Sequence, residues 1–498
     1  MLEDRERAPL YEALVAHDKL NMHAFHVPGH KQRPIEGDAQ AIAYYDKLLS
    51  LDVTELSDTD DLHHPEGPLV EAQQLAANCW GAEETRFLVG GSTSGNLAMI
   101  IGLCHPGDLV IVQRNVHKSM VHGIMMAGAR AVLLPPDIDS ASGLATVPAE
   151  SLLRASLERY PEAKAVILSS PNYYGMSSDL KPLIQAAHSF GIPVLIDEAH
   201  GPHFGLHPLF PQSALQAGAD VAVQSTHKML SAMTMGAMLH MQGNRLPRPS
   251  IRQALTMVQS SSPSFPIMGS LDLARWQLHT QGEKAFISPL EAVNLATKGL
   301  NDTSIRAIGY GEYASSNISY DPLKLVLFDA TFTLSGFELK DELLHRKCVA
   351  EMADSTYVVM AFGTGSTKED GECLSAALKA ISDKISNKIS GKSESNQAAH
   401  SISKQRIVNP YNGEITVPEP VFIGRKMEPT QAIRLEDSVG SISAEWVIPY
   451  PPGIPVLYPG ETITSEIILQ LQHWRHEGAQ IQGAQDAELQ YIQVQVDK

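Results

Sequence analysis

The sequence predicts an α/β protein built on a mostly parallel, seven-stranded sheet, with smaller α+β regions toward the C-terminus. Three observations predict it. Between about residues 85 and 243, short apolar runs alternate with helical patterns, as strands joined by crossover helices do. The runs are nearly continuous rather than alternating in polarity, which suits strands covered on both faces. Hydrophobic residues make up 43% and charged residues 19% of 498, enough to bury more than one core.

Taken in order, residues 1–60 read as an N-terminal helix and an extended arm. Residues 61–290 form the large domain, with strand runs at 85–89, 109–113, 131–134, 165–168, 193–196, 219–223 and 237–241. A helical stretch at 180–190 is one of the connections. The gap between Lys228 and the last run is too short for a crossover helix, so that strand is expected to be antiparallel. Residues 291–385 read as a small α+β domain, with strands at 324–328 and 356–362 and a helix over 371–388. The polar, Ser-rich stretch 386–405 reads as a flexible linker. Residues 406–498 are punctuated by Pro and Gly, with short strands and one helix at 461–477.

The net charge of −18 disfavours nucleic acid and anionic membranes and is compatible with cationic small molecules. Four scattered cysteines, Cys79, Cys104, Cys348 and Cys373, form neither a disulfide framework nor a zinc motif in sequence, and fit a reducing cytoplasm. The charged start, Met1 to Arg7, has no apolar core of a signal peptide, and no run approaches the roughly 20 residues of a spanning helix.

The chemistry is concentrated at two strand ends. Asp197-Glu198-Ala199-His200 follows one apolar run, and Ser225-Thr226-His227-Lys228 lies just past the next. A buried acid and a lysine so placed are the two parts of a pyridoxal 5'-phosphate (PLP) site. The lysine forms the Schiff base, and the acid keeps the pyridine nitrogen protonated so that the ring accepts electrons. An isolated lysine is ordinarily a solvated charge and an isolated aspartate a helix or turn cap; it is the pair that points to PLP. Ala199 is small enough to lie on one ring face, and His200 could reach the phenolic oxygen. His117, after the 109–113 run, could stack on the other face, since ligands of open α/β sheets bind beyond the strand ends.

Gly90-Gly91-Ser92-Thr93-Ser94-Gly95-Asn96 sits between a strand run and the helical run 97–104. Its glycines, the hydroxyls of Ser92, Thr93 and Ser94, and a helix N-terminus suit a phosphate. Ser225 and His227 are further phosphate contacts. The acidic stretch with Asp52, Glu55, Asp58, Asp60 and Asp61, ending in His63-His64, reads either as a solvated loop or as recognition of a cationic substrate. Nothing beyond composition supports a metal there.

These residues resemble the PLP-dependent ornithine/lysine/arginine decarboxylases of fold type I. The resemblance rests on the Asp197 and Lys228 motifs together with His26-Val27-Pro28-Gly29-His30-Lys31, Asp60-Asp61-Leu62-His63 and Arg114-Asn115-Val116-His117-Lys118-Ser119. Near the C-terminus it adds Ile448-Pro449-Tyr450-Pro451-Pro452-Gly453-Ile454-Pro455 and Pro459-Gly460-Glu461. It covers about residues 20–490, places a decarboxylase-type domain at 406–498, and fits the short form of the family; Met235 departs from a position where Gln is common. It implies decarboxylation of arginine, lysine or ornithine to an amine for polyamine metabolism. Lys228, Asp197, His117 and His227 are the implied catalytic residues, with Lys228 or His227 returning the proton to Cα. Glu55, Asp58 and Asp60 are the implied partners of the substrate's distal cation, reaching across the interface of a homodimer or higher homo-oligomer. Transamination on the same fold, or a catalytically silent binding homologue, are the alternative readings.

Overall fold

A computed structural model describes residues 5–33, 37, 39–390, 417–424, 429–450, 455–476 and 480–496. The large sheet has eight strands rather than seven. From one edge they run Glu84–Leu88, Ala237–Met241, Val221–Gln224, Val194–Asp197, Val166–Ser169, Leu109–Gln113, Arg130–Leu134 and Val421–Phe422. Neighbours from Val221–Gln224 to Arg130–Leu134 are parallel, and Ala237–Met241 is antiparallel to both of its neighbours, as the short connection predicts. The eighth strand comes from the C-terminal region and pairs antiparallel with Arg130 and Ala131. Two residues of edge strand leave no readable periodicity, so sequence alone misses it.

Burial explains the continuous apolar runs. Ile111, Val132, Val166 and Ile196 enter one core, and Val110, Leu133, Ile167 and Leu195 enter a second on the opposite face. Each such side chain contributes roughly 1.5–3 kcal/mol by leaving water. The helix Gly91–Ile101 lies so close to the sheet that a Cβ on Gly95 would stand 2.7 Å from Leu88 and 2.8 Å from Val223. Only glycine permits that approach, which brings the helix N-terminus to the strand ends.

The N-terminal helix Pro9–Lys19 buries Leu10 and Leu14, and Asp272 accepts the Leu10 N–H at 2.9 Å. The small domain is a four-stranded antiparallel sheet, ordered Met352–Ala353, Val358–Ala361, Lys324–Asp329, Ile305–Ala307. Its helix Lys368–Ser390 runs two residues beyond the predicted end, so residues 386–390 of the expected linker are helical; 391–405 lie outside the described residues. A third core, with Leu435, Val447, Leu457, Leu471 and Ile492, fills the C-terminal domain, whose helix is Ser465–His476. Cys348 and Cys373, distant in sequence, bring their sulfurs to 3.8 Å. No helix among the described residues is long and apolar enough to cross a membrane.

Candidate active site

Asp197 ends the central parallel strand, and Lys228 sits on the short helix Thr226–Met229 that follows the adjacent strand. The carboxyl ends of parallel strands leave a crevice, and here it forms a small, partly open cavity. Ser92, His117, Asp197, Ala199, His200 and Lys228 all line it. Six of the sequence-predicted residues therefore meet in one place.

Asp197 is 4% exposed, and a buried carboxylate needs partners. It accepts the Ala199 N–H at 3.0 Å and the Asn96 amide at 2.8 Å. The same amide donates to Ser119 Oγ at 2.9 Å, and Ser119 Oγ lies 2.8 Å from His117 Nδ1. His117 also caps its helix, accepting the Ser119 N–H. A hydrogen-bonded chain thus ties the acid to His117, another residue of the cavity lining. Burial pulls the His117 imidazolium below its ordinary value, with Asp197 opposing.

Lys228 Nζ is 2.8 Å from His200 Nε2 and 5.5 Å above the Tyr173 ring, which in turn lies 4.3 Å from the His200 ring. Burial pushes the Lys228 ammonium down to about 8; Asp197 opposes this and Lys324 adds to it. His200 is held well below its usual value, first by burial and then by Lys228, so it is neutral. A neutral His200 accepting at Nε2 carries its proton on Nδ1, which is buried without a partner. Ser225 Oγ is buried and equally unpartnered.

Other predicted residues are placed differently. The helix begins at Gly91, earlier than the pattern suggests, so Ser92, Thr93 and Ser94 form its first turn. Thr93 is exposed, and Ser94 Oγ donates to Gly91 O at 2.9 Å. His227 is half-buried, with Nδ1 on Gly236 O at 3.0 Å, and burial lowers its pKa. Neither His227 nor Ser225 is among the cavity-lining residues.

The acidic stretch does not reach the cavity within one subunit. Asp60 adopts φ 81 and accepts four backbone N–H groups, from Asp61, Glu66, Gly67 and Leu69. Burial raises its pKa, but these four bonds outweigh that and hold the carboxyl below its ordinary value. Asp58 pairs with His17 at 2.8 Å, and Glu55 accepts the Leu62 N–H at 3.3 Å while burial raises its pKa. Among the described residues, no cluster of three or more His, Cys, Asp or Glu side chains could hold a metal.

Sequence reasoning passes over Asn96, Ser119, Tyr173, Lys324 and Glu351. The first two stand inside quoted motifs, but no spacing rule pairs them. Tyr173 belongs to Pro171-Asn172-Tyr173-Tyr174-Gly175, directly after a parallel strand, and its place beyond a strand end is the available signal. Lys324 is a buried cation at the start of a small-domain strand, lowered by burial, with Glu351 and Asp321 opposing. Glu351 is exposed on the same domain and acts on Lys228, His227 and Lys324.

A family profile described as Orn/Lys/Arg decarboxylase, major domain, matches residues 8–308, and one described as Orn/Lys/Arg decarboxylase, C-terminal domain, matches 417–490. A Bacillus subtilis protein known as uncharacterized protein YaaO is 40% identical over 95% of this chain and 96% of its own. The arginine decarboxylase of Bacillus subtilis is 33% identical over 98% of each chain. Lysine decarboxylase LdcA of Pseudomonas aeruginosa is 23% identical over 92% of this chain and 74% of its own. The crystal structure of the Francisella novicida lysine decarboxylase LdcF matches with a TM-score of 0.79 at 20% identity, covering 98% of this chain and 81% of that one. The fold recurs, with a TM-score of 0.52 at 16% identity, in SPT with a PLP internal aldimine, over 75% of this chain and 84% of that one. The fold is that of the type I PLP enzymes, and the chain belongs to the Orn/Lys/Arg decarboxylase family, a family of amino-acid decarboxylases.

Proposed function

We propose that the cavity holds PLP and that the protein decarboxylates a basic amino acid, arginine before lysine or ornithine. The observation that carries this is the presence of Lys228 and Asp197 in one cavity, the lysine with its ammonium pushed down to about 8. The residues fit the group. Ser225 Oγ and His200 Nδ1 are buried polar atoms without partners, and a buried aspartate has its carboxylate fixed by Asn96 and the Ala199 N–H. Bound there, PLP supplies a protonated pyridine ring that takes up the electron pair left when carbon dioxide departs.

In this reading the side chains would divide the work among them. Asp197, its carboxylate fixed by Asn96 and the Ala199 N–H, would pair with the ring nitrogen and keep it protonated. His117 and Ala199, both in the cavity lining, would hold the ring between them and so would orient the substrate's Cα bonds. Ser92, in the first turn of the helix Gly91–Ile101, would meet the phosphate, with Ser225 and His227 as further candidates behind the cavity lining. His200 would donate from its unpartnered Nδ1 to the phenolic oxygen. Lys228, with an ammonium pushed down to about 8, would present a partly neutral amine near neutral pH to hold the cofactor, and with His227 would be the candidate to return a proton to Cα.

Glu351, an exposed carboxylate of the small domain whose charge acts on Lys228, His227 and Lys324, is a further candidate beside Glu55, Asp58 and Asp60 for the substrate's distal cation. The similarity to arginine decarboxylases, 30–33% identical over 91–98% of the chain, against 22–23% for the lysine decarboxylases, supports arginine. Exposed Leu20, Met22, Phe25 and Val27 on the N-terminal arm support burial against a second subunit in a homodimer.

Borohydride fixation of added PLP followed by peptide mapping tests the cofactor reading: the adduct is expected on Lys228, and an adduct on another lysine contradicts it. Arginine is expected to exceed lysine and ornithine in kcat/KM by about tenfold, the worth of roughly 1.4 kcal/mol. Equal values would remove the arginine preference. Glu351→Gln is expected to raise KM with kcat largely kept; an unchanged KM excludes Glu351.

A further inference from the structure

Two sequence motifs find no task in the chemistry above: Arg114, at the head of the His117 segment, and Tyr458-Pro459-Gly460-Glu461, far along the C-terminal domain. They meet in space. Glu461 takes both terminal nitrogens of Arg114, with Nη2–Oε2 at 2.7 Å, and Arg114 Nη2 also donates to Val456 O at 2.9 Å. The Tyr458 hydroxyl donates to Arg114 O, and the Arg114 guanidinium lies 5.4 Å from the centre of the Tyr458 ring. The Arg114 N–H is held by Leu134 O at 2.7 Å. Residue 114 is therefore fixed through its N–H, its carbonyl and its side chain. Glu461 is fixed in turn, because the Tyr458 N–H donates to it at 3.0 Å. One helical turn beyond His117, the His122 ring meets Trp446 at 5.5 Å, and Trp446 meets Tyr458 at the same distance.

We propose that the C-terminal domain sets the position of the His117 ring, with Glu461 and Tyr458 acting as positioning residues through Arg114. The inference rests on the proposed place of His117 against the bound ring. The chain must leave the strand Leu109–Gln113, turn, and enter the helix at Lys118 within five residues, and His117 is the extended N-cap of that turn. A shift at residue 114 is carried into the ring.

A domain anchor alone would not call for this pair. Attachment is already supplied by apolar contacts, with Tyr458 and Ile423 buried in the core of the large domain and Val421–Phe422 paired to its edge. The ion pair has side chains 15% and 10% exposed, so its desolvation offsets much of its attraction. What a two-pronged guanidinium–carboxylate contact adds is direction. Glycine at 460, with φ +90 and only 2.9 Å from Phe422 O to an added Cβ, lets the chain bend tightly before presenting Glu461.

The test uses PLP-loaded full-length protein and the variants Glu461→Gln, Tyr458→Phe and His117→Ala. Tyr458→Phe removes one hydroxyl and keeps the ring packing, so it reports even where Glu461→Gln folds poorly. A displacement of the order of 1 Å costs up to ~100-fold in rate. Glu461→Gln is expected to lower kcat roughly tenfold and Tyr458→Phe several-fold, with KM within about twofold. Both should alter the visible circular dichroism of the bound PLP, a readout of ring orientation independent of turnover. If both variants keep the parental kcat and dichroism while only the melting temperature falls, the pair is an anchor and the inference is overturned. If His117→Ala itself leaves kcat and dichroism unchanged, the role given to His117 fails instead.

Discussion

Burial of Lys228 makes a quantitative demand on its chemistry. The ammonium is lowered from 10.5 to about 8, chiefly by desolvation, against the stabilising charge of Asp197. That difference is about 3 kcal/mol of penalty on the charged form. At pH 7 an amine of pKa 8 is about one-tenth neutral, whereas an ordinary lysine is neutral in about one molecule in 3000, a ~300-fold gap in available nucleophile. Asp197→Asn removes the charge that favours the ammonium, so the value should fall further. Stopped-flow capture of PLP by cofactor-free protein reads this directly, with rates divided by those of a small free amine to cancel the titration of PLP itself. In the parent, the site's neutral fraction should rise with pH and level off above about 8. In Asp197→Asn it should level off at lower pH, while turnover drops by about 100-fold or more because the ring nitrogen has lost its acid. A neutral fraction that still climbs tenfold per pH unit beyond about pH 9 describes an unperturbed lysine and refutes the reasoning. So does an Asp197→Asn plateau displaced to higher pH.

Three further outcomes follow from the same contacts. Ser119→Ala leaves His117 Nδ1 and the Asn96 amide without their shared partner, and should lower kcat about tenfold and stability by about 1–3 kcal/mol, read by steady-state kinetics and urea unfolding. An unchanged kcat would show that the chain does not orient His117. Asp321→Ala leaves the His203 Nε2 without its 2.9 Å partner, both side chains being fully buried, and should cost about 1–3 kcal/mol; a loss well under about 1 kcal/mol would show that the pair does not hold the two domains together. Glu198, fully buried, has its carboxyl raised from 4.5 to about 8, first by burial. The folded state then keeps a proton that the unfolded chain releases, so stability falls as pH rises from 4.5 toward 8. Glu198→Gln should gain on the parent through that window and no further above it, and a pH-independent difference in melting temperature would contradict this.

Much of the fold was legible because parallel strands buried on both faces advertise themselves. The run at 109–113 is apolar throughout, and all five of its residues are buried. The strand from 237 was readable as antiparallel from loop length alone. What escaped were contacts that depend on distant chain returning, as with Val421–Phe422 at the sheet edge or Glu461 on Arg114. The core of the candidate site was legible for a related reason: open α/β sheets gather their chemistry at strand ends, so Asp197, Lys228, His117 and Ala199 could be placed together. In the 90–96 loop Ser92 does line the cavity, whereas Thr93 is exposed and Ser94 satisfies its own helix turn, a local competition that sequence does not display. Asp60 shows in sequence only as a charge, whereas the backbone N–H groups that its carboxylate accepts become visible only in the fold.

The measurement that bears most directly on the whole account is product identification from PLP-loaded protein given arginine, lysine and ornithine separately, with Lys228→Ala in parallel. The account predicts carbon dioxide and the matching amine in equal amounts, most rapidly from arginine, and neither product from Lys228→Ala. A keto acid in place of the amine, or no amine from any of the three, would contradict it.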